Sequence, residues 1–257
     1  MAVMDLGLKD RVFVVTGGSK GLGRASAEAL VAEGARVVLC ARDEKALQLT
    51  CEQLGGSERV IGVPGDLADH SLGERLAAAA VGRWGRLDGA LISVGGPPAG
   101  SSLGLSDQQW RSAFETVFLG SVRIARAVVS ALGDDGGAIA FVLSLSARQP
   151  IGNLASSNGL RPGLGMLAKT MADELGPKRV RVLGLLPGRL DTDRVRELDE
   201  ATGKPAKARA EFTKSIPLGR YGEPAEFGRV AAFVLSPAAS YLSGILIPVD
   251  GGLGRSL

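Results

Sequence analysis

Seven short apolar runs recur along the chain, and stretches of helical character separate them. The runs cover residues 12–16, 36–41, 59–63, 89–93, 138–144, 180–186 and 245–249. They are apolar at consecutive positions, which is typical of strands that are buried on both faces. Because such runs alternate with helices, the sequence predicts an α/β fold, a doubly wound parallel sheet of seven strands with helices on both faces.

The helical stretches cover residues 22–33, 44–54, 71–84, 107–132, 154–175 and 224–235. One such sheet accounts for nearly all of the 257 residues, so we expect a single domain over residues 1–257. Residues 190–215 are the exception, because they are charged and interrupted by T-G-K-P. We expect them to form a helical or mobile insertion over the edge of the sheet, which makes them a candidate substrate lid.

A glycine-rich loop follows the first apolar run and reads T-G-G-S-K-G-L-G, from Thr16 to Gly23. Gly17, Gly21 and Gly23 give the spacing G-x-x-x-G-x-G, a variant of the dinucleotide fingerprint. Glycine permits a tight turn and lets a pyrophosphate approach the backbone, and the N–H groups at the start of the next helix favour an anion. The loop therefore predicts a dinucleotide site, with a purely structural turn as the alternative.

The second apolar run ends in C-A-R-D, and this ending bears on the type of dinucleotide. An enzyme that prefers NAD places an acid at this strand end to bind the ribose hydroxyls, whereas this chain has Ala41 followed by Arg42. Arg42, with Lys20 from the glycine loop, could bind a 2′-phosphate, so we expect NADP more than NAD. Two alternatives stay open: Asp43 could rotate in and favour NAD, or both cations are merely solvated.

Composition and charge limit the other partners. The chain carries 30 Lys and Arg against 27 Asp and Glu, and only 4% of its residues are aromatic, so we expect no nucleic-acid partner. We see no bilayer-length apolar stretch and no signal peptide, so we expect a cytoplasmic protein without a membrane partner. His70, Cys40 and Cys51 lack metal-ligand spacing, so we expect no metal.

Taken in order, these motifs resemble those of the short-chain dehydrogenase/reductase family over nearly the whole chain. Its T-G-x-x-x-G-x-G matches the glycine loop, its D-x-L-V-N-N-A-G matches D-G-A-L-I-S-V-G from Asp88, and its P-G-x-x-x-T matches P-G-R-L-D-T from Pro187. Its C-terminal pattern matches residues 217–252. The resemblance implies a Rossmann fold and an NADP(H)-dependent oxidoreductase that acts on a carbonyl or alcohol substrate.

The resemblance also implies which residues bind the cofactor and how the chain assembles. The cofactor set is Gly17, Ser19, Lys20, Gly21, Leu22, Gly23, Arg42, Asp66, Leu67, Gly95, Arg161, Pro187, Gly188 and Thr192. Within it, Asp66 would meet the adenine amino group, unless it caps the following turn, and Thr192 would bind the carboxamide. The long helices 107–132 and 154–175 would pair between subunits in a homodimer or homotetramer, with ordinary core packing as the alternative.

The catalytic positions of the family, Asn, Ser, Tyr and Lys, are only partly retained. Counting back from K-T-M-A-D-E-L places the Tyr and Lys of Y-x-x-x-K at Ser157 and Arg161. The family Ser lies thirteen residues before its Tyr, and counting back from Ser157 places it at Ser144. Ser146 is a second candidate if the loop has an insertion. The Asn position falls at Val117. Ser144, Ser157 and Arg161 are therefore the candidate catalytic residues.

The altered residues change the chemistry that this site can perform. Serine is a far poorer acid than tyrosine, and arginine does not shuttle protons, although it can bind ribose hydroxyls and stabilise a developing alkoxide. We therefore expect an oxidoreductase with a rebuilt proton-donor site, in which Ser144, Ser157 and Asn158 hold a water that donates the proton. The alternative is a catalytically impaired NADP(H)-binding sensor or partner subunit.

Overall fold

The computed structural model describes residues 5–256, so the first four residues and Leu257 of the predicted domain lie outside the described part of the chain. Seven strands form one parallel sheet in the order β3-β2-β1-β4-β5-β6-β7. They are β1 (Val12–Thr16), β2 (Arg36–Ala41), β3 (Val60–Pro64), β4 (Gly89–Ile92), β5 (Gly137–Val142), β6 (Val180–Pro187) and β7 (Leu246–Val249). The predicted doubly wound sheet is confirmed.

Helices cover both faces of this sheet. They are α1 (Gly21–Ala32), α2 (Glu44–Gln53), α3 (Leu72–Trp84), α4 (Asp107–Ala113), α5 (Gly120–Ala131), α6 (Ala155–Leu175), α7 (Asp193–Glu200), α8 (Pro205–Ser215) and α9 (Pro224–Leu235). In β1, Val12 and Val14 join the core beneath α3, α5 and α6, whereas Phe13 and Val15 join the core beneath α1, α2 and α9. This two-sided burial explains why the strands are apolar at consecutive positions.

The topology determines where a ligand can bind. Strand β1 pairs with β2 on one side and with β4 on the other, so the chain reverses its direction of travel across the sheet at this point. In open α/β sheets, such a reversal leaves a crevice at the carboxyl ends of the strands. The loops after β1, β4, β5 and β6 meet at this crevice and carry most of the predicted site residues.

The long helix predicted over residues 107–132 is interrupted. A π-helical turn, Phe114–Leu119, separates α4 from α5. Buried Val117 lies in this turn, and its carbonyl oxygen accepts a hydrogen bond from Ser121 Oγ at 2.7 Å. Apolar spacing over so few residues does not distinguish an α turn from a π turn, and π turns often mark functional sites.

Residues 190–215 form the two helices α7 and α8, so the insertion takes the helical form. Asp199 of α7 is buried, and it accepts hydrogen bonds from Arg189 at 2.9 Å and from Tyr221 Oη at 3.1 Å. Burial and this bond to Asp199 raise the pKa of Tyr221 to about 12. Arg209 of α8 reaches back to Asp191 at 2.9 Å. These buried and half-buried pairs hold both helices against the end of β6.

Asp199→Asn should loosen these two helices, because Arg189 then keeps its charge without a carboxylate. Breaking a buried pair in this way costs about 3 kcal/mol. We expect a lower Tm and faster trypsin cleavage after Lys207, in the first turn of α8. Asp193→Asn on the same helix is the control, because its partner Arg196 is exposed and such a pair is worth less than about 1 kcal/mol. An equal decrease in Tm in the two variants would contradict the conclusion that the buried pairs of Asp199 hold α7 and α8 in place.

None of the helices within residues 5–256 combines the length and the apolar character that are needed to cross a bilayer.

Candidate active site

The glycine loop forms a tight turn directly between β1 and α1. Gly17 and Gly21 have positive φ angles of 61° and 56°, a region that L side chains rarely adopt. A Cβ at Gly23 would lie 2.3 Å from the carbonyl oxygen of Gly17, which is well inside contact distance. The first turn of α1 therefore sits against the end of β1, and the N–H groups of that turn, which have no intrahelical partner, are available to an anion there.

A pair of hydrogen bonds joins the two strands that flank the crevice. Thr16 Oγ1 donates to the Ser93 carbonyl oxygen at 2.7 Å and accepts from Ser93 N at 2.8 Å. Both residues are buried. This pair fixes the end of β1 relative to the end of β4, so the glycine loop and the loop that contains Gly95 keep a constant separation.

The P-G-R-L-D-T loop faces the glycine loop across the site. Thr192 is buried, and its Cγ2 lies 3.7 Å from the position that a Cβ on Gly21 would occupy. Arg194 closes the same side by donating to the Pro97 carbonyl oxygen at 3.0 Å. Sequence reasoning missed Arg194, because nothing in the sequence relates residues that lie 97 positions apart and meet only in the fold.

The other residues of the predicted cofactor set lie in the loops at this same edge of the sheet. Ser19 and Leu22 belong to the glycine loop and the start of α1, Leu67 follows β3, Gly95 follows β4, and Pro187 and Gly188 end β6. A Cβ at Gly188 would lie 2.5 Å from Asp250 Cβ, so the backbone passes too closely for a side chain. The structure therefore brings the whole predicted set to one edge.

Near β2, Arg42 remains available to a ligand. Its side chain is 81% exposed and lies 3.8 Å from Asp66 Oδ2, and Lys20 is exposed as well. Asp43 caps α2 by accepting from Ala46 N at 3.1 Å, so rotating it toward a ribose would cost that cap. Asp66 accepts from Ala68 N at 2.9 Å and caps the turn after β3, the alternative that the sequence left open.

Two serine hydroxyls on opposite elements meet beside the end of β5. Ser146 Oγ and Ser157 Oγ lie 2.9 Å apart, and both residues are buried. Ser144 Oγ accepts from Ser146 N at 3.1 Å. That bond uses a lone pair of Ser144 and leaves its hydroxyl hydrogen able to donate. Ser144 is therefore a candidate donor to a substrate oxygen, whereas Ser157 is engaged with Ser146.

The side-chain amide of Asn158 binds the backbone of Ile151. Its Nδ2 donates to the Ile151 carbonyl oxygen at 2.9 Å, and its Oδ1 accepts from Ile151 N at 3.0 Å. Both ends of the amide are used to attach the loop before α6 to the helix. Each end of the amide keeps capacity for one further hydrogen bond, so the role of Asn158 in holding a proton-donating water stays a prediction.

Arg161 is the most unusual group of the site. It is only 4% exposed, and its Nη1 donates to the Val142 carbonyl oxygen at the end of β5. Its buried Nε has no hydrogen-bond partner, and within residues 5–256 no carboxylate forms an ion pair with the guanidinium. Burial lowers the pKa of Arg161 to about 10, so the group stays charged at neutral pH. A buried, unpaired cation is costly, and this one lies beside the loop of Ser144.

No ordinary proton donor accompanies these residues. His70 is exposed and lies 3.5 Å from Glu115, and Tyr221 is bound to Asp199 beneath the α7–α8 helices. Tyr241 is fully exposed. No group of three or more potential metal ligands occurs in the described part of the chain. The site therefore offers hydroxyl donors and a fixed positive charge.

Comparison with known proteins identifies the class. The family model described as Enoyl-(Acyl carrier protein) reductase matches residues 17–254. The 3-oxoacyl-[acyl-carrier-protein] reductase MabA of Mycobacterium tuberculosis is 32% identical, with 95% of this chain and 93% of that protein covered. L-rhamnose 1-dehydrogenase (NAD(P)(+)) of Azotobacter vinelandii is 33% identical, with 96% and 97% covered.

Solved structures agree with these relatives. A short-chain dehydrogenase/reductase from Brucella melitensis is 30% identical with a TM-score of 0.90, and the match covers 97% of this chain and 99% of that chain. L-sorbose reductase from Gluconobacter frateurii, solved with NADPH and L-sorbose, is 28% identical with a TM-score of 0.91, covering 99% and 100%. The fold and glycine loop define a Rossmann-type oxidoreductase. The chain belongs to the short-chain dehydrogenase/reductase family.

Replacing Arg161 with Met should leave the ligand-free protein as stable as the native chain, or more stable by about 1–2 kcal/mol, because it removes a buried unpaired charge. The pKa of Arg161 is depressed to about 10, so the native fold bears this penalty at any pH below about 10, and the gain should be present at pH 7. Lys169→Met on the exposed side of α6 is the control, and it should leave the free energy of unfolding nearly unchanged. Thermal unfolding measures both; a loss above about 2 kcal/mol in Arg161→Met would mean that Arg161 serves the fold.

Proposed function

We propose that this protein is an NADP(H)-dependent oxidoreductase that acts on a carbonyl or alcohol substrate without a tyrosine proton donor. One observation carries the proposal: the buried cation Arg161 lies unpaired beside Ser144, at the edge where the glycine loop and Thr192 meet. A protein that held only the adenine end of a dinucleotide would gain nothing from this costly charge. The names of the relatives, reductases and dehydrogenases, support the same class.

The residues present fit a bound NADP. Backbone N–H groups of Gly17–Gly23 would hold the pyrophosphate, and Arg42 with Lys20 would hold the 2′-phosphate. Gly95, the Pro187–Gly188 turn and Thr192 would line the nicotinamide end. When bound, the cofactor supplies or accepts a hydride. The structure of L-sorbose reductase that was solved with NADPH supports this choice.

The chain's own groups would act on the oxygen of the substrate. Ser144 would donate its free hydroxyl hydrogen to that oxygen. Arg161 would stabilise the negative charge that develops there, since a fixed charge in a dry site needs little reorganisation. Ser146 would hold Ser157 in place by their mutual hydrogen bond, and water would deliver the proton. Losing a side-chain acid typically lowers the rate by about 10²–10⁴-fold, so we propose modest turnover.

We also propose that α7 and α8 form the substrate lid and that the chain assembles as a homodimer or homotetramer. Phe114 stacks on Phe118 with ring centroids 5.2 Å apart, although Phe114 is largely exposed. Met166 of α6 is 70% exposed on the neighbouring helix. An exposed aromatic and apolar face of this kind favours contact with a second copy.

A second function, nucleotide binding without catalysis, is favoured by the engagement of Ser157 with Ser146. NADPH fluorescence titration followed by a panel of ketones, quinones and acyl thioesters separates the two. We expect the native chain to bind NADPH and to oxidise it with at least one carbonyl compound. Tight binding without any turnover would favour the sensor or partner subunit.

Gly23→Ala should weaken this binding, because the added methyl group collides with the Gly17 carbonyl oxygen and displaces the first turn of α1. We expect at least about a tenfold rise in the Kd for NADPH, equivalent to about 1.4 kcal/mol. Gly82→Ala in α3 is the matched control, since a Cβ there meets nothing within 4 Å. Unchanged affinity in a folded Gly23→Ala protein would overturn the assignment of the loop.

Arg42→Ala should weaken NADPH binding by about tenfold while leaving NADH binding nearly unchanged, because the lost contact is with the 2′-phosphate alone. Arg111→Ala is the matched control, since Arg111 in α4 is equally exposed at 80% and lies away from the glycine loop. Paired titrations with both dinucleotides measure the ratio of the two Kd values. An equal loss of affinity for NADPH and NADH in Arg42→Ala would contradict a role of Arg42 in selecting NADP.

A further inference from the structure

A second pocket lies at the amino-terminal edge of the sheet, opposite to the candidate active site. Its volume is about 340 Å³, which lies within the range of small-molecule sites. Arg36 begins β2, Arg59 directly precedes β3, and Trp84 ends α3. Because parallel strands start at one edge and end at the other, this pocket is separate from the crevice beside the glycine loop. The lining residues are Asp10, Arg36, Glu58, Arg59, Arg83 and Trp84.

Backbone carbonyl groups hold two of the three guanidinium groups in this pocket. Arg59 Nη1 donates to the Gly34 carbonyl oxygen at 3.0 Å. Arg83 donates to the Ser57 carbonyl oxygen from Nε at 3.3 Å and from Nη2 at 3.1 Å. Within residues 5–256, neither of these two arginines forms an ion pair. Each guanidinium is therefore oriented by the backbone and keeps an uncompensated charge and further N–H donors for a ligand.

The other charged groups leave an excess of positive charge in the lining. Arg36 Nη2 lies 3.0 Å from Asp10 Oδ1, so these two charges offset each other. Glu58 adds one carboxylate, which forms no ion pair in the described part of the chain. Because Arg59 and Arg83 stand against this single carboxylate, the pocket favours an anion, and Glu58 opposes its binding in part.

Trp84 gives the pocket an aromatic surface. The residue is half-buried and packs against the core beneath α3, α5 and α6, and the rest of it lines the pocket. Because this packing already restricts the indole, the protein loses little conformational freedom when a flat ring stacks on it. The pocket therefore combines an aromatic surface with cationic hydrogen-bond donors.

We propose that this pocket binds a small phosphomonoester that carries an aromatic ring. Arg59 and Arg83 bind the phosphate group, and Trp84 contacts the ring. Guanidinium groups match phosphate oxygens in charge and geometry, and a phosphomonoester carries about two negative charges near neutral pH. The pocket and the glycine loop lie at opposite ends of the same strands, so both sites can be filled together. The inference does not depend on the proposed function.

The first test uses 4-nitrophenyl phosphate as the probe and isothermal titration calorimetry as the measurement. We expect the same Kd with and without saturating NADP+. 4-Nitrophenyl sulfate, which has one charge fewer, and inorganic phosphate, which lacks the ring, should each bind at least about fivefold more weakly, the scale of one exposed charged or aromatic contact. Equal binding of the three ions would overturn the inference. Displacement of the probe by NADP+ would place it in the dinucleotide site and would also overturn the inference.

Variants of the lining test which side chains bind the probe. Arg59→Ala and Arg83→Ala should each raise its Kd by at least about fivefold. Glu58→Gln should lower the Kd by about twofold or more, because it removes a repulsive carboxylate, and a gain in affinity cannot result from misfolding. Arg111→Ala is the control, since Arg111 is 80% exposed and does not line the pocket. An unchanged Kd in both arginine variants, or weaker binding in Glu58→Gln, would overturn the inference.

Tryptophan fluorescence locates the ring of the probe. The chain has two tryptophans, Trp84 and Trp110, so Trp110→Phe leaves Trp84 as the single tryptophan emitter. The nitrophenyl ring should quench this emission, and the quenching should saturate with the Kd that calorimetry gives for the same variant. Unquenched Trp84 emission at probe concentrations that saturate the calorimetric titration would overturn the contact between the ring and Trp84.

Discussion

The approach of α1 to the end of β1 is the constraint on which the rest of the site depends. Because Gly23 has no side chain, the first turn of α1 packs against the Gly17 carbonyl oxygen, and the N–H groups of that turn have no intrahelical partner. The Thr16–Ser93 hydrogen bonds then set the position of β4 relative to this turn. Packing in two cores fixes the position of these backbone groups, which supports the proposal that they bind the dinucleotide.

Arg161 shows how a stability cost can indicate function. A buried guanidinium with an unsatisfied Nε is unfavourable in the protein alone. It is held in place because α6 carries it and its Nη1 donates to the carbonyl oxygen of Val142 at the end of β5. A ligand with negative charge, or one that becomes negative during reaction, would satisfy it. Where we predict the family's tyrosine and lysine positions, the chain carries Ser157 and Arg161, a weak acid and a fixed positive charge.

The sequence located the strands well, because burial on both faces leaves an apolar run that no helix interrupts. Strands β1 and β2 have the predicted bounds, whereas β5 ends at Val142. Ser144 leaves the sheet because its hydroxyl binds Ser146 N and starts a new turn. The π-helical turn between α4 and α5 was not predicted, because apolar spacing does not distinguish an α turn from a π turn.

Local pattern alone was enough to predict the sheet and the glycine loop, because each depends on residues that are close in sequence. The assignment of Ser157 and Arg161 to the family's tyrosine and lysine positions stays a prediction. Tertiary structure decided which polar side chains have hydrogen-bond partners within the protein. Asn158 is paired with Ile151, Ser157 with Ser146 and Asp43 with its own helix, while Arg161 keeps unused donors. Whether a polar side chain has a hydrogen-bond partner depends on which backbone groups from distant parts of the sequence lie next to it. The packing of helices and strands decides this, and the local sequence does not show it.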